Sequence, residues 1–514
     1  MSKVKNDSLF HLIRSLTKSE KWQFKVYASR VKQGQDKKFI QLFDAIDKQK
    51  EYNEDALLSL KTLNPSQLPN LKTHLYKQLL THLSHYNSST PESTVTRYSE
   101  HARFLYDKCL YADCLTILEK AKRSARENYQ LVLLLELLNI EKLALIQTSG
   151  QNASERVNKL VEEITSVTEQ IQNINRYSNL ALQLNTFYQI RGFIRNHEDF
   201  MTVQSFYKKQ VPQVSAAHLS AQEKMYLYYT ITGYNFYVQD FKAGYANARK
   251  WVALFENDPA LIRAKTEFYI KALNNLLVVQ NKLYLYSEFK ETHNKLVSLK
   301  RRKDIILSEN LQLNLFKAIY IHEINRHFML GEYKSGTRVV AALNKELMNF
   351  IPKLSKHTVM IFYYKIACLY FGSYQFKTAI KWLNRIINEK ESGLREDLQS
   401  FARILRLICY YELNSREMIE YNIRSTYRFL QKKQSFVKYQ LLIMKFLRSI
   451  KKTDTEKELT QQFSVLKNGM QKLEKSRFEK RAFIYFDIIS WLESKIEHKP
   501  MQDIIKEKHK RILK

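Results

Sequence analysis

Few side chains in this sequence stand at spacings that could do chemistry. His322-Glu323-Ile-Asn-Arg-His327 comes nearest to a zinc-protease helix, in which two histidines four apart face one ion. Here the histidines are five apart, about 140° around a helix, and packing alone explains His327. Gly331-Glu-Tyr-Lys-Ser-Gly336-Thr337 imitates a phosphate loop but has no lysine after its second glycine, so nothing would reach a terminal phosphate. Ser15-Leu-Thr-Lys18 has the spacing of a serine acyl-enzyme fragment without its companion motifs, and Thr17 as a helix cap accounts for it better. His74, His82 and His85 share a stripe that holds no carboxylate or cysteine to complete a metal shell. These readings predict no catalytic residue, no metal site and no cofactor; the chain is expected not to be an enzyme.

Charge is the other chemistry on offer. Eighty-three Lys and Arg stand against 51 Asp and Glu, a net +32 with an isoelectric point near 9.7. Such an excess favours nucleic acid, an anionic membrane face or an acidic protein. Residues 401–514 hold 26 basic and 13 acidic side chains. There Arg428, Lys432, Lys433, Lys438, Lys445, Arg448, Lys451 and Lys452, with Phe429, Phe436 and Tyr439 between them, form a candidate surface for RNA or DNA phosphates. A solvated helix back would look the same, and no recognised nucleic-acid motif is present.

The elements that must position these groups read as helices. The sequence has only 10 glycines and 7 prolines in 514 residues, so few links with positive φ are expected. Apolar residues make up 45%, enough for a packed interior. Cys109, Cys114, Cys368 and Cys409 form no CxxC pair and no disulfide framework. Leu9-Phe-His-Leu-Ile13-Arg14 is too short and interrupted for a signal segment, and the apolar run Leu131–Leu138 is broken by Glu136. A cytoplasmic, bacterial protein without a membrane span is expected.

One phrase recurs. Tyr363, Ile366, Ala367 and Tyr370 are followed by Phe376, Ala379, Ile380, Leu383 and Ile386. Related runs begin at Tyr98, Tyr228 and Tyr320 and place Cys114, Gly244 and Gly336 at the small position of a second helix. An aromatic and a small residue on one helix meet a small residue on the next, so the two backbones approach closely. Anchors at Cys114, Val157, Val203, Gly244, Ser287, Gly336, Ala379 and Ile419 are 40 to 49 residues apart. Pro212, Pro259 and Pro352 fall after second helices, where proline ends a helix without breaking one. The pattern resembles the tetratricopeptide motif, whose repeat of about 34 residues is shorter. The resemblance implies an all-α, right-handed α-solenoid of helical hairpins with a partner-binding concave face.

Some members of that family grip a partner's terminal carboxylate with lysine and asparagine on the first helices. By resemblance, Lys271 and Asn275 fall on two such positions and Lys365 on a third, while His322 and Ile361 replace two others. Arg103, Tyr106, Tyr229, Phe236, Asn325 and Phe328 are expected to line the same groove.

The first ninety residues do not fit the repeat. Thr17-Lys-Ser-Glu20 is a capping box, Gly34 is placed to end its helix, Asn53 can cap another, and Leu71, Leu75, Leu79 and Leu83 mark a fourth. The linker-like Asn87–Ser93 places a boundary near residue 90. The expected organisation is an N-terminal helical domain over 1–90, helical repeats over 91–430 and basic C-terminal helices over 431–514. In that last region the helices are expected at Leu430–Lys452, Glu456–Glu474 and Arg477–Ile496, as a cap on the array. The opening helices also resemble those of uncharacterised bacterial helical-repeat proteins. The function expected is a non-enzymatic scaffold or adaptor for a protein or peptide. The alternative is a nucleic-acid-associated regulator with a helix-turn-helix-like N-terminal domain. Against it, Asn70–Tyr86 carries only Lys72 and Lys77 as cations, few for a helix lying in a major groove.

Overall fold

The fold is described from a computed structural model covering residues 7–31, 36–59, 65–86, 90–148, 153–191, 193–194, 196–211, 215–389, 395–432, 438–449, 455–476 and 478–512. These residues form helices and no strand. Contacts divide the chain into two compact units, Met1–Ile164 and Thr165–Lys514, the division falling inside the helix Ala153–Arg191.

In the first unit, Leu9, Ile13, Phe24, Leu42, Phe43, Ile46, Leu57, Leu75 and Leu79 form one buried cluster. Local chemistry sets the helix starts. The Thr17 N–H donates to Glu20 Oε2 at 2.7 Å while Thr17 Oγ1 accepts from the Glu20 N–H at 3.2 Å, and Asn53 Oδ1 caps Glu54–Leu58 through the Ala56 N–H. Gly34 and residues 87–89 of the linker lie outside the described residues. Pro91–Asp107, Tyr111–Glu127 and Leu131–Ile146 follow, each packed on the next.

The second unit is a succession of helix pairs: Ala221–Tyr237 with Phe241–Glu256, Thr266–Lys282 with Tyr286–Ser298, Glu309–Leu330 with Tyr333–Phe350, Lys356–Gly372 with Phe376–Ile387, and Glu396–Glu412 with Arg416–Lys432. Each first helix also packs on the first helix of the next pair. In four of these pairs the second helix opens on an aromatic residue, Phe241, Tyr286, Tyr333 or Phe376, and its fourth residue is buried: Gly244, Phe289, Gly336 and Ala379. A Cβ on Gly336 would lie 2.7 Å from Leu369 and 3.2 Å from the His327 ring, the close approach that the small position provides.

Three expectations are corrected. Ser287 is exposed and Phe289, fully buried, takes the anchor position of its pair. Val157 lies near the start of the 39-residue helix Ala153–Arg191 but is exposed, so it is not a buried anchor. Scarcity of glycine did not mean scarcity of left-handed links. Cys109, Tyr129, Gln239, Tyr284, Gly331, Tyr374, Asn414 and His498 all have φ between 53 and 65°. In every case the next residue's N–H bonds back to the carbonyl five residues earlier, at 2.8–3.1 Å, as from Leu110 to Leu105 and from Gln375 to Tyr370. The same helix-ending motif recurs at eight links. Seven of those residues carry a Cβ, at a cost of about 1 kcal/mol each, which packing of the joined helices offsets.

Pro259 opens the short helix Pro259–Ala264 under an Asp258 cap, Pro352 follows Tyr333–Phe350 in a single 3-10 turn, and Pro212 lies outside the described residues. The C-terminal region differs from the three long helices expected. It consists of Lys438–Ser449, Glu456–Lys475, a 3-10 segment Glu479–Ile484, Ile488–Ile496 and Met501–Ile512. The anticipated helix Arg477–Ile496 is broken because Asp487 caps a new one, accepting from the Ser490 N–H at 2.9 Å and its hydroxyl at 2.6 Å. No helix among the described residues is long and apolar enough to cross a membrane.

Candidate functional site

Within the Thr165–Lys514 unit the first helices of successive pairs present one face each to a cavity of about 840 Å³. Ala153–Arg191 contributes Leu184, Asn185 and Tyr188, and Ala221–Tyr237 contributes Tyr229, Gly233 and Phe236. Thr266–Lys282 gives Lys271, Asn274, Asn275, Asn281 and Lys282; Glu309–Leu330 gives Lys317, Asn325 and Phe328; Lys356–Gly372 gives His357, Ile361, Lys365 and Cys368. Steps of three and four residues keep these side chains on one helix face, while Leu273, Leu277, Ile324 and Ile366 of the same helices are buried in the core.

The opposite wall comes from the segment between Glu456–Lys475 and Ile488–Ile496, through Lys480, Phe483, Tyr485 and Phe486. One clasp holds it. Arg395, 1% exposed, forms a two-pronged ion pair with Asp397, both contacts at 2.9 Å. Its Nη2 also donates to the Tyr485 hydroxyl at 3.2 Å, and that hydroxyl donates to Asp397 Oδ2. The Tyr485 ring stacks on Phe401 with centroids 4.3 Å apart, and the Arg395 guanidinium lies 5.4 Å from the Tyr188 ring. Burial alone would raise the Asp397 carboxyl, but the Arg395 charge and the hydrogen bonds of Arg395 and Tyr485 bring it below its ordinary value.

The field inside the cavity is positive. Lys271, Lys282, Lys317, Lys365, Arg395 and Lys480 line it against Glu474 and Asp487. Burial pushes Lys282 down to about 7, with the charge of Lys365 adding to the effect, and pushes Lys365 down to about 8. Lys317 is lowered by burial and then by the charge of Lys271, with Glu267 opposing. Burial, reinforced by the Arg395 charge, lowers His357 to about 4, and Cys368 is pushed up to about 12 by burial, so its thiol stays protonated and weakly nucleophilic.

A directional chain of hydrogen bonds orients Lys365. Its ammonium donates to Asn325 Oδ1 at 2.6 Å, Asn325 Nδ2 donates to His322 Nδ1 at 3.2 Å, and His322 Nε2 donates to Asn274 Oδ1 at 3.1 Å. Burial, with the charges of Lys365 and His293, holds fully buried His322 well below its usual value, consistent with the neutral ring this chain requires. Lys365 Nζ also sits 5.6 Å from the Phe328 ring.

Of the residues singled out from the sequence, Tyr229, Phe236, Lys271, Asn275, Asn325, Phe328 and Lys365 all line this cavity. Lys271 also pairs with Glu267 at 2.9 Å. Arg103 and Tyr106 belong to the other unit, where exposed Arg103 pairs with Glu136 at 3.0 Å and Tyr106 packs edge-on against Tyr111. Arg428, Lys432, Lys438, Lys445 and Arg448 are exposed. Tyr439 among them is a core residue, and Phe429 carries the Arg403 guanidinium at 3.7 Å, so neither ring is free to stack on a base. Lys433, Phe436, Lys451 and Lys452 lie outside the described residues. His74 packs on Phe39, His82 on Phe24 and Tyr27, and His327 lies between Glu323 and Ser335.

Sequence reasoning missed Lys282, Lys317, Arg395, Asp397 and Tyr485. Lys317 lies eight residues before Asn325 on the same helix, so face periodicity was a usable signal for it. For Tyr485 the signal was the capping pattern of Asp487. No protein-family model matches this chain, and no curated protein or solved structure matches it either. The arrangement offers cationic and amide donors, aromatic faces and a protonated thiol, which is the chemistry of holding an anion.

Proposed function

We propose that this chain is a non-enzymatic binding scaffold, a right-handed α-solenoid of tetratricopeptide-like hairpins working in the cytoplasm, whose cavity in the Thr165–Lys514 unit receives an acidic segment of a protein or peptide partner. One observation carries the reading: among the described residues Lys365 and Lys317 form no ion pair, and their hydrogen bonds go to the neutral amides Asn325 and Asn314. Cations withdrawn from water without a counter-charge cost stability, and a ligand's carboxylates would supply the missing partner. The aromatic faces of Tyr229, Phe236 and Phe328 beside them suit the apolar residues of such a segment. The link motif repeated at eight helix ends supports the array.

The test is selection from a random peptide display library with the full-length protein at low and high salt. Enrichment of Asp- and Glu-rich peptides, lost at high salt and in the Lys271→Ala/Lys365→Ala double variant, is expected; equal enrichment by the variant would overturn the reading.

A second reading, an RNA- or DNA-associated regulator, draws on Arg428, Lys432, Lys438, Lys445 and Arg448, which are exposed and form no ion pair with a described carboxylate. Random duplex DNA titrated alongside would favour it if binding falls steeply with salt and survives the cavity substitutions.

A further inference from the structure

The cavity is not the only place where cations gather in the Thr165–Lys514 unit. We infer that the surface along Glu396–Glu412, between Phe376–Ile387 and Arg416–Lys432, binds a single strand of nucleic acid, with phosphates on Arg403 and Arg406 and a base on Tyr421. Arg428 is shared with the nucleic-acid reading above, on which the assignment rests and which it narrows to an unpaired strand.

Helix periodicity sets the floor. Arg403, Arg406 and Tyr410 follow one another at steps of three and four residues on Glu396–Glu412, so they share one face at spacings of about 5 to 6 Å. None of them lines the cavity. Arg406 donates to Asn384 Oδ1 of Phe376–Ile387 at 2.8 Å, and the Arg403 guanidinium lies 3.7 Å from the Phe429 ring of Arg416–Lys432. The stripe therefore runs between these two helices. Arg403 also donates to the Gln399 carbonyl at 3.2 Å, and Arg406 Nε is buried without a hydrogen-bond partner among the described residues. Both guanidiniums are half-buried, and no described carboxylate pairs with either. Burial, with the Arg406 charge adding to it, lowers Arg403 to about 10, so it is still a cation at neutral pH.

The flanking helices add charge and one open ring. Phe376–Ile387 carries exposed Lys381 three residues before Asn384, on the same helix face. Glu396–Glu412 and Arg416–Lys432 are joined by three residues and run antiparallel. From Arg403 beside Phe429 the stripe therefore passes Ser425 and comes level with Tyr421 at Tyr410. Tyr421 is 67% exposed and opens a stripe of its own with exposed Arg424 and Arg428, again at steps of three and four. Lys381, Arg424 and Arg428 form no ion pair with a described carboxylate, and exposed Glu417 and Glu420 mark the end of the cationic surface near the link.

A cationic track beside an exposed aromatic ring suits a single strand, whose phosphates meet the cations while a base face meets the ring. The planar guanidinium fork matches phosphate oxygens. In a duplex the faces of each base are covered by its neighbours, leaving nothing for Tyr421 to stack on. Arginines half-buried between helices also lie below the reach of a double helix, which is stiff over this length.

The experiment is fluorescence anisotropy of the full-length protein over a range of salt. The probes are labelled dT and U strands of about 15 nucleotides and a duplex of the same length, with poly-glutamate as competitor. Single strands are expected to bind more tightly than the duplex, with affinity falling as salt rises. Tyr421→Ala, at an exposed position, should weaken them about fivefold or more. Arg403→Gln/Arg406→Gln should weaken them about tenfold or more and flatten the salt slope, while Lys271→Ala/Lys365→Ala should leave them unchanged. U bound more tightly than dT would assign the strand to RNA, and the reverse to DNA; equal binding would assign it to the chemistry they share. A duplex bound as tightly as the single strands, or single strands unaffected by Tyr421→Ala, would overturn the single-strand assignment while leaving the nucleic-acid reading intact. Displacement by poly-glutamate at equal charge would assign the surface to an acidic protein, and loss of binding in the cavity variant would place the strand in the cavity; either overturns it too. Tyr421→Ala carries the test even if the arginine variant folds poorly.

Discussion

Lys122 in the Met1–Ile164 unit and Lys365 in the Thr165–Lys514 unit are both lysines withdrawn from water on helices of packed pairs, and their surroundings differ in kind. Lys122, 5% exposed, donates to Glu141 at 2.5 Å and pairs with Glu119 at 2.8 Å, while Arg156 holds the other oxygen of Glu141 at 3.2 Å. Every charge in that cluster has a partner, and the cluster is finished. Lys365 meets a neutral amide and a phenyl face, and no described carboxylate pairs with it. A buried ion pair fixes local geometry at little net gain, whereas a half-buried cation facing only an amide carries an uncompensated charge at the expense of stability.

That contrast can be broken by measurement. The largest effect is expected at the finished cluster: Lys122→Met should destabilise the protein by about 3 kcal/mol, the low end for a broken buried pair because Arg156 still faces Glu141. Denaturant unfolding followed by circular dichroism would read it, and an unchanged midpoint would make Lys122 no more structural than a surface lysine. Lys365→Met should act in the opposite direction, stabilising by about 1 kcal/mol without ligand, since the methionine keeps the apolar stem and removes an uncompensated charge. A loss of stability there would mean that the Asn325 hydrogen bond outweighs the charge.

The smallest effect is a slope with pH. In the folded protein Lys365 titrates at about 8 and in the unfolded chain near 10.5. Below the folded value both states carry the proton and the whole cost of the buried charge is present. Between the two values only the unfolded state carries it, so stability rises with pH; above both the cost is gone. Lys282 acts in the same sense from about 7. Tyrosines such as half-buried Tyr207, raised to about 12 by burial, oppose the trend only above about pH 10, where unfolded tyrosine ionises. Melting temperatures between about pH 7 and pH 9 should therefore climb less in Lys365→Met than in the unaltered protein. Equal slopes would place the ammonium in a better-solvated setting than the cavity suggests.

Much of this was legible beforehand because helical periodicity is local. Lys271 and Asn275 are four apart, Asn325 and Phe328 three apart, and such spacing puts a pair on one helix face wherever the helix goes. Capping chemistry was equally readable: Thr17 with Glu20 and Asn53 with Ala56 need no tertiary partner. The links were misread because left-handed residues were expected to be glycine. Tyr129, Tyr284 and Tyr374 adopt that conformation because the helices they join bury enough surface to outweigh the local cost.

Sequence alone determined that this chain is helical, where many of its helices begin, and which face of each first helix carries lysine, asparagine and aromatic side chains, since all three depend on neighbours within about four residues. Tertiary structure alone decided that those faces line one cavity. It also decided that Tyr485 reaches back across 88 residues to Asp397 to hold the far wall. Contacts between residues so distant in sequence leave no periodic trace in either partner, and only the packing of every intervening helix brings them together.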